Sequence, residues 1–96
     1  MAGPVYKIFR GRMRKAWYEL SRAEQDDIIA KAENALAQSG GKTVIMCRSA
    51  SDQWSLFGIE EFPDIDAVVK HKKLLDEANW FCFCESESQI GTSWER

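Results

Sequence analysis

The feature that most constrains this chain is a strand–helix–strand pattern that occurs twice in 96 residues. The first copy is predicted as strand Val5–Arg10, helix Ser21–Ser39 and strand Lys42–Arg48. The second copy is predicted as strand Trp54–Phe62, helix Asp64–Asn79 and strand Trp80–Glu85. A doubled unit of this kind predicts one α+β domain over residues 1–96, in which a four-stranded antiparallel sheet carries both helices on one face.

Local signals define the ends of the two predicted helices. Ser21 and Glu24 form a capping-box sequence at the start of the first helix, and Gly40 follows its end. Pro63 ends the third strand because it has no amide hydrogen for a sheet ladder. Asp64 then supplies a favourable N-cap for the second helix.

Apolar side chains occupy both faces of two predicted strands. In the second strand, Val44 and Met46 point to one face of the sheet, and Ile45 and Cys47 point to the other. In the fourth strand, Phe81 and Phe83 point to one face, and Trp80, Cys82 and Cys84 point to the other. Two helices cover only one face of the sheet, and each large apolar side chain left in water would forfeit about 1.5–3 kcal/mol. We therefore expect a homodimer through the open sheet face, because twofold pairing makes one patch complementary to itself.

Composition and charge exclude several classes of function. Apolar residues make up 45% of the chain and charged residues 29%, and no apolar run is long enough to cross a bilayer. The net charge of −2 argues against nucleic acid as a partner. Met1–Pro4 has no charged segment followed by an apolar core, so we expect no signal peptide, no membrane partner and a cytoplasmic location.

One stretch of the chain is locally basic. Its cationic residues are Lys7, Arg10, Arg12, Arg14 and Lys15. We expect a solvated face here, leading into a long connection over Gly11–Leu20. A docking site for an anion or carboxylate is the alternative, because arginine binds such groups with a fork of donors.

The cysteines do not indicate a disulfide framework or a metal site. There are three of them, Cys47, Cys82 and Cys84, and an odd number without a secretory signal argues against pairing. Together with His71 they could formally supply four zinc ligands. A Cys-x-Cys sequence inside a strand lacks the turn that zinc knuckles use, so we expect the cysteines to pack and the chain to bind no metal.

The order of elements resembles the dimeric α+β barrel superfamily, in which two ferredoxin-like βαββαβ subunits pack sheet against sheet. Segments that carry a closer resemblance to one little-characterised branch are W-Y-E-L-S-R-A-E at 17–24, W-S-L-F-G-I-E-E-F-P-D at 54–64, V-V-K-H at 68–71, N-W-F at 79–81 and I-G-T at 90–92. That branch often has an arginine and a tyrosine after N-W-F, where this chain has Cys82-Phe83-Cys84. The fold hosts cofactor-free monooxygenases, polyketide cyclases, isomerases, heme-handling proteins and ligand binders, so the resemblance leaves the reaction open.

His71 is the only histidine and lies on the flank of the apolar stripe of the second helix. The resemblance implies a general base here, since a histidine in this neighbourhood has that role in some polyketide cyclases; an ordinary boundary histidine is the alternative. Tyr6 could supply a phenol donor and Arg48 an anion clamp, or Tyr6 is an ordinary strand aromatic. Glu60 is expected at the solvated end of its strand, the alternative being a buried carboxyl with a raised pKa.

Three tryptophans, Trp17, Trp54 and Trp80, are expected near the mouth of a pocket, although each could simply pack in the core. No phosphate loop, nucleotide fingerprint or nucleophile elbow is present. We therefore expect a small cofactor-independent enzyme of the cyclase, isomerase, lyase or monooxygenase type, acting on a hydrophobic aromatic or polyketide-like molecule. The alternatives are a carrier for a hydrophobic metabolite, a protein-interaction module, and a heme protein with His71 as ligand.

Overall fold

The computed structural model describes residues 3–95 and contains one four-stranded antiparallel sheet in the order β2-β3-β1-β4. Its strands are β1 (Val5–Met13), β2 (Lys42–Arg48), β3 (Leu56–Phe62) and β4 (Cys84–Thr92). Its helices are α1 (Lys15–Tyr18), α2 (Arg22–Ser39), α3 (Ile65–Glu77) and α4 (Trp80–Phe83). The predicted α+β architecture with a four-stranded antiparallel sheet is confirmed. Over residues 3–95, none of the helices has the length and apolar composition needed to cross a membrane.

The two long helices begin where the sequence predicts. The Ser21 hydroxyl accepts a hydrogen bond from the Glu24 amide at 3.1 Å, and the Glu24 carboxylate accepts one from the Ser21 amide at 2.9 Å. Gly40 ends α2 in the left-handed region, with φ of 85°. Asp64 caps α3 by accepting a hydrogen bond from the Ala67 amide at 2.8 Å.

The fourth strand differs from the sequence prediction. Trp80–Phe83 forms a helical turn, and the strand begins at Cys84 and runs to Thr92. Asn79 adopts the left-handed conformation, with φ of 60°, and thereby starts the turn. The alternation predicted for Phe81 and Phe83 across the sheet is therefore wrong.

The side chains of α4 and β4 explain this difference. Trp80 and Phe83 pack edge-on against Trp17 of α1, with ring centroids 6.4 and 6.5 Å apart. The edge strand β4 is polar because its outward carboxylates pair with β1: Glu85 accepts hydrogen bonds from Arg12, and Glu87 accepts them from Arg10. An aromatic segment thus forms a packed turn, and a polar segment completes the sheet.

Strand β1 is longer than predicted. It continues to Met13, and α1 follows it, so the connection over Gly11–Leu20 is largely ordered secondary structure. The basic side chains of β1 alternate between the two faces of the sheet: Lys7 points toward the helices, whereas Arg10 and Arg12 lie on the outer face. The expectation of a solvated basic stretch is therefore wrong for Lys7, which is largely buried, and holds for the other four residues, which are exposed.

The core is small and lies near one end of the sheet. It is formed by Val5, Phe62, Ala67 and Val68, with Leu36 of α2 packed against it. Helix α2 packs mainly against α3 rather than on the sheet. This arrangement leaves a space between the helices and the inner sheet face.

Candidate functional site

We call this space the helix-side cavity. Its volume is about 620 Å³, within the range of small-molecule sites. Most of its wall is apolar and comes from Phe9, Ile29, Leu36, Met46, Leu56, Leu75, Trp80 and Phe81. A few polar groups interrupt this wall, and they are the groups that could carry chemistry.

Lys7 and Glu60 are cross-strand neighbours on the cavity face of the sheet. Lys7 lies between Val5 and Phe9 on β1, and Glu60 precedes the buried Phe62 on β3 by two residues. Nζ of Lys7 is 4.0 Å from Oε1 of Glu60, and the two side chains are only 12% and 11% exposed. The sheet therefore holds an amine and a carboxyl side by side in a largely apolar space.

Burial shifts both members of this pair toward their neutral forms. The pKa of Lys7 is lowered mainly by desolvation; the Glu60 charge opposes this shift, and Lys72 adds to it. The pKa of Glu60 is raised by desolvation, which outweighs the nearby Lys7 charge. At 4.0 Å the attraction is too weak to cancel the cost of removing both groups from water. The buried alternative for Glu60 is thus the one that the structure adopts.

His71 projects from α3 into the same region. It is 3% exposed and packs against Phe62, with ring centroids 5.3 Å apart. Burial, with a smaller contribution from the Lys7 charge, lowers the pKa of His71 to about 4, so its imidazole is neutral at pH 7. Its Nδ1 atom is buried without a hydrogen-bond partner, which is uncommon for a buried polar atom in a folded protein.

The structure brings together part of the set of residues predicted from the sequence. Arg48 and Trp80 line the helix-side cavity along with His71. Trp17 lies behind Trp80 and supports it through the edge-on contact described above. These four residues therefore belong to one region of the molecule.

Tyr6 and Trp54 lie elsewhere. Tyr6 pairs with Glu61 in the β1–β3 register and so lies on the outer face, opposite His71. Trp54 stacks under Arg10 and Arg12, whose Cζ atoms are 4.4 and 5.3 Å from its ring centroid. It lines a separate outer-face depression of about 650 Å³. The structure does not bring either residue to the helix-side cavity.

The cysteines are dispersed in the structure. Cys47 is half-buried, Cys82 is exposed on α4 and Cys84 is buried beside the cavity. Within residues 3–95 no three His, Cys, Asp or Glu side chains are grouped closely enough to hold a metal ion. His71 lines the cavity and is the single histidine that could face a heme iron, and the alternative of a heme protein stays a prediction.

Lys7 and Glu60 are the polar cavity residues that the sequence does not single out as a pair. It places Lys7 in a basic stretch with the arginines that follow, and for Glu60 it leaves both a solvated strand end and a buried carboxyl open. The available signal is the alternation of side chains along a strand, which puts Lys7 on the same face as the apolar Val5 and Phe9. The cross-strand register that joins Lys7 to Glu60 is a tertiary property that one sequence does not provide.

No family model matches the chain, and no curated protein matches it in sequence. Solved structures do match. A mutant chlorite dismutase from Candidatus Nitrospira defluvii aligns with a TM-score of 0.76 at 13% identity, over 100% of this chain and 42% of that one. A mutant of SnoaB, a cofactor-independent oxygenase from Streptomyces nogalater, aligns with a TM-score of 0.65 at 19% identity, over 99% of this chain and 97% of that one.

A third match is the RPA0582 protein of unknown function from Rhodopseudomonas palustris, with a TM-score of 0.70 at 16% identity, over 98% of this chain and 85% of that one. The chain thus spans less than half of the chlorite dismutase chain and nearly all of SnoaB. Identities this low establish the fold and leave the activity open. The chain has a ferredoxin-like α+β fold, with the strand order β2-β3-β1-β4, and shares this fold with these structures, as its sequence resemblance implied.

Proposed function

We propose that this protein is a small cofactor-independent enzyme that moves a proton on a hydrophobic aromatic or polyketide-like molecule bound in the helix-side cavity. The observation that carries this proposal is the Lys7–Glu60 pair beside neutral His71 in a mostly apolar cavity. Proton abstraction is the step shared by cyclase, isomerase and oxygenase chemistry on such molecules. The fold shared with SnoaB, a cofactor-independent oxygenase, is compatible with it.

Glu60 is the proposed proton acceptor. Its raised pKa makes it a stronger base than an exposed carboxylate, and it lines the cavity. His71, with a pKa of about 4, is a weak base at pH 7 and is better suited to hydrogen bonding. Rotation of its ring about χ2 would turn the unpartnered Nδ1 toward a ligand hydroxyl.

Lys7 is the proposed electrostatic partner of the reacting group. When a proton leaves carbon conjugated with a carbonyl, negative charge develops on the oxygen, and the Lys7 nitrogen, a hydrogen-bond donor in either protonation state, stabilises that charge strongly in an apolar space. Trp80 and Arg48 would orient the ring system and a peripheral acidic group, since both line the cavity.

A carrier for a hydrophobic metabolite would need the apolar wall but not the buried pair. Removing an amine and a carboxyl from water costs several kcal/mol per ion, and a 4.0 Å contact recovers only part of it. Titratable groups with perturbed pKa values in a cleft cluster at functional sites. This difference favours an enzyme over a carrier.

Proton exchange on a hydrophobic carbon acid tests the proposal. Anthrone is a suitable probe because it is tricyclic and its methylene protons exchange with D2O, which NMR follows directly. We expect the protein to accelerate exchange and Glu60→Gln to reduce the acceleration about a hundredfold, the typical contribution of a general base. Glu61→Gln is the matched control, because Glu61 neighbours Glu60 but pairs with Lys42 on the outer face.

Two outcomes would contradict the enzymatic proposal. One is acceleration that is equal in Glu60→Gln and the unmodified chain. The other is saturable binding of anthrone, detected by Trp80-dependent fluorescence, with no acceleration of exchange by any variant. The second result would identify the protein as a carrier.

We also propose that the working form is a homodimer that pairs the outer sheet faces. The exposed apolar side chains Ile8, Ile45 and Phe57 lie on this face and support the proposal.

A further inference from the structure

We infer that Lys7 is a nucleophilic amine that forms an imine with an aldehyde or ketone bound in the helix-side cavity. This inference deepens the proposed function, on whose cavity it rests, by naming the substrate class as a hydrophobic carbonyl compound. It also gives Lys7 a covalent role in place of a purely electrostatic one.

The position of Lys7 is unlike that of every other lysine in the chain. Its side chain is 12% exposed and lines the cavity, whereas the other six lysines are exposed. Strand β1 fixes its backbone between two paired strands, β3 and β4, so the amine approaches the cavity from a rigid element. A ligand carbonyl entering the apolar space would meet this amine directly.

The surroundings of Lys7 favour the neutral amine, the form that attacks a carbonyl. The charged or titratable groups near it are Glu60, His71 and Lys72. Burial lowers the pKa of Lys7, the Glu60 charge opposes this shift, Lys72 adds a smaller lowering, and His71 is neutral at pH 7. Lys42, by contrast, is 71% exposed and lies beside Glu61 on the outer face.

The covalent step balances with the groups present. The Lys7 nitrogen adds to the carbonyl carbon, forming a C–N bond, and Glu60, 4.0 Å from Nζ, relays one nitrogen proton to the carbonyl oxygen, which becomes a hydroxyl. Glu60 in its neutral form then donates its own proton to that hydroxyl, and the C–O bond breaks as water leaves. The products are the protonated imine, the Glu60 carboxylate and one water molecule, with no oxidant or reductant.

Imine formation would assist the proton transfer proposed above. A protonated imine draws electrons from the adjacent carbon more strongly than a carbonyl does, so its α-proton is more acidic. Glu60 can then take that proton to give an enamine. One amine and one carboxyl, already neighbours in the sheet, would thus supply both steps.

Reductive trapping tests the inference. The full chain is incubated at pH 7 with 2-naphthaldehyde and sodium cyanoborohydride, which reduces an imine to a stable secondary amine, and the labelled lysines are identified by peptide mass spectrometry. We expect the rate of labelling of Lys7 to be at least about ten times that of Lys42, because desolvation favours the neutral amine of Lys7. Lys42→Arg serves as the matched control and should leave labelling of Lys7 unchanged.

Two substitutions of Lys7 separate the covalent role from an electrostatic one. Lys7→Arg keeps the charge beside Glu60, whereas Lys7→Met keeps the aliphatic stem alone. In an exchange assay with 2-tetralone, whose methylene protons lie next to the carbonyl, an imine mechanism predicts that both variants lose acceleration about a hundredfold, but a purely electrostatic role predicts rescue by arginine. Circular dichroism of both variants establishes that they fold.

Labelling of Lys7 no faster than Lys42 would overturn the inference, as would full rescue by Lys7→Arg. If Glu60-dependent exchange persists in either case, the proposed function stands and only the covalent role fails. If exchange is absent while Lys7 is labelled selectively, the amine chemistry stands and the proton-transfer proposal fails.

Discussion

Lys7, Glu60 and His71 are polar residues at positions where apolar side chains would pack more favourably. Each is largely buried, the ionic pair is not in close contact, and one imidazole nitrogen has no partner. Such groups weaken the folded state unless a ligand satisfies them. Their presence together is more readily explained by chemistry in the cavity than by stability.

The sequence singles out one of these three residues and does not link the other two to each other, for a physical reason. His71 is the only histidine, and helical periodicity sets it near the apolar stripe. The identities of Lys7 and Glu60 carry no such signal, because lysine and glutamate are mostly exposed in proteins. Only the antiparallel register makes them neighbours, and register depends on the whole sheet.

Replacing His71 with phenylalanine should change how stability depends on pH. The folded-state pKa of His71 is about 4, below its ordinary value of 6.5, so the unfolded chain binds a proton more readily between these values. His71 therefore makes its full contribution to the free energy of unfolding above pH 6.5. This contribution declines by about 3 kcal/mol as the pH falls to 4. His71→Phe removes this decline and keeps an aromatic contact with Phe62.

Urea unfolding at fixed protein concentration, measured at several pH values, checks this prediction. The raised pKa of Glu60 acts in the opposite direction, but it is common to both proteins, so the difference between them isolates His71. Parallel stability curves for the variant and the unmodified chain between pH 7 and pH 4 would show that His71 is not buried in neutral form.

At the scale of elements, the sequence predicts the two long helices well and misplaces the last strand. Caps at Ser21 and Asp64 are local, so a sequence window contains all the information that they need. The last strand is decided by distant partners: Arg10 and Arg12 pair with the carboxylates of β4, and Trp17 packs with the aromatic turn before it. The apolar composition of residues 80–85 favours a strand there, because composition alone contains no information about these distant contacts.

Asn79 is expected to control the turn between α3 and α4. Glycine and asparagine adopt a φ of 60° readily, whereas alanine and most other residues are strained there. Asn79→Ala should therefore lower the free energy of unfolding by about 1 kcal/mol, whereas Asn79→Gly should leave it within about 0.5 kcal/mol of the unmodified chain.

Thermal and urea unfolding of both variants measure these changes. Asn34→Ala is the matched control: Asn34 is exposed within α2, where alanine has the higher helix propensity, so the same substitution should be neutral or stabilising. Equal losses at positions 34 and 79 would show that the left-handed conformation of Asn79 is not what determines the cost.

At the scale of the whole molecule, the apolar side chains on the two faces of the sheet are covered to different extents. The inner face is partly covered by α3 and borders the helix-side cavity. The outer face leaves Ile8, Ile45 and Phe57 exposed by 54%, 50% and 44%. Its charged side chains on β1 and β4 are already paired with one another, so they need no external partner.

A lysine in place of Ile45 should therefore disrupt the proposed dimer. Twofold symmetry introduces the charge twice, and the lost apolar burial of about 1.5–3 kcal/mol per side chain doubles accordingly. Association should weaken at least about a hundredfold, so sedimentation equilibrium at micromolar concentration should find Ile45→Lys monomeric and the unmodified chain dimeric. Val69→Lys is the matched control, since Val69 is 63% exposed on α3 and lies away from the outer sheet face. A monomeric unmodified chain, or equal weakening by both lysines, would show that the outer face is not an interface between copies.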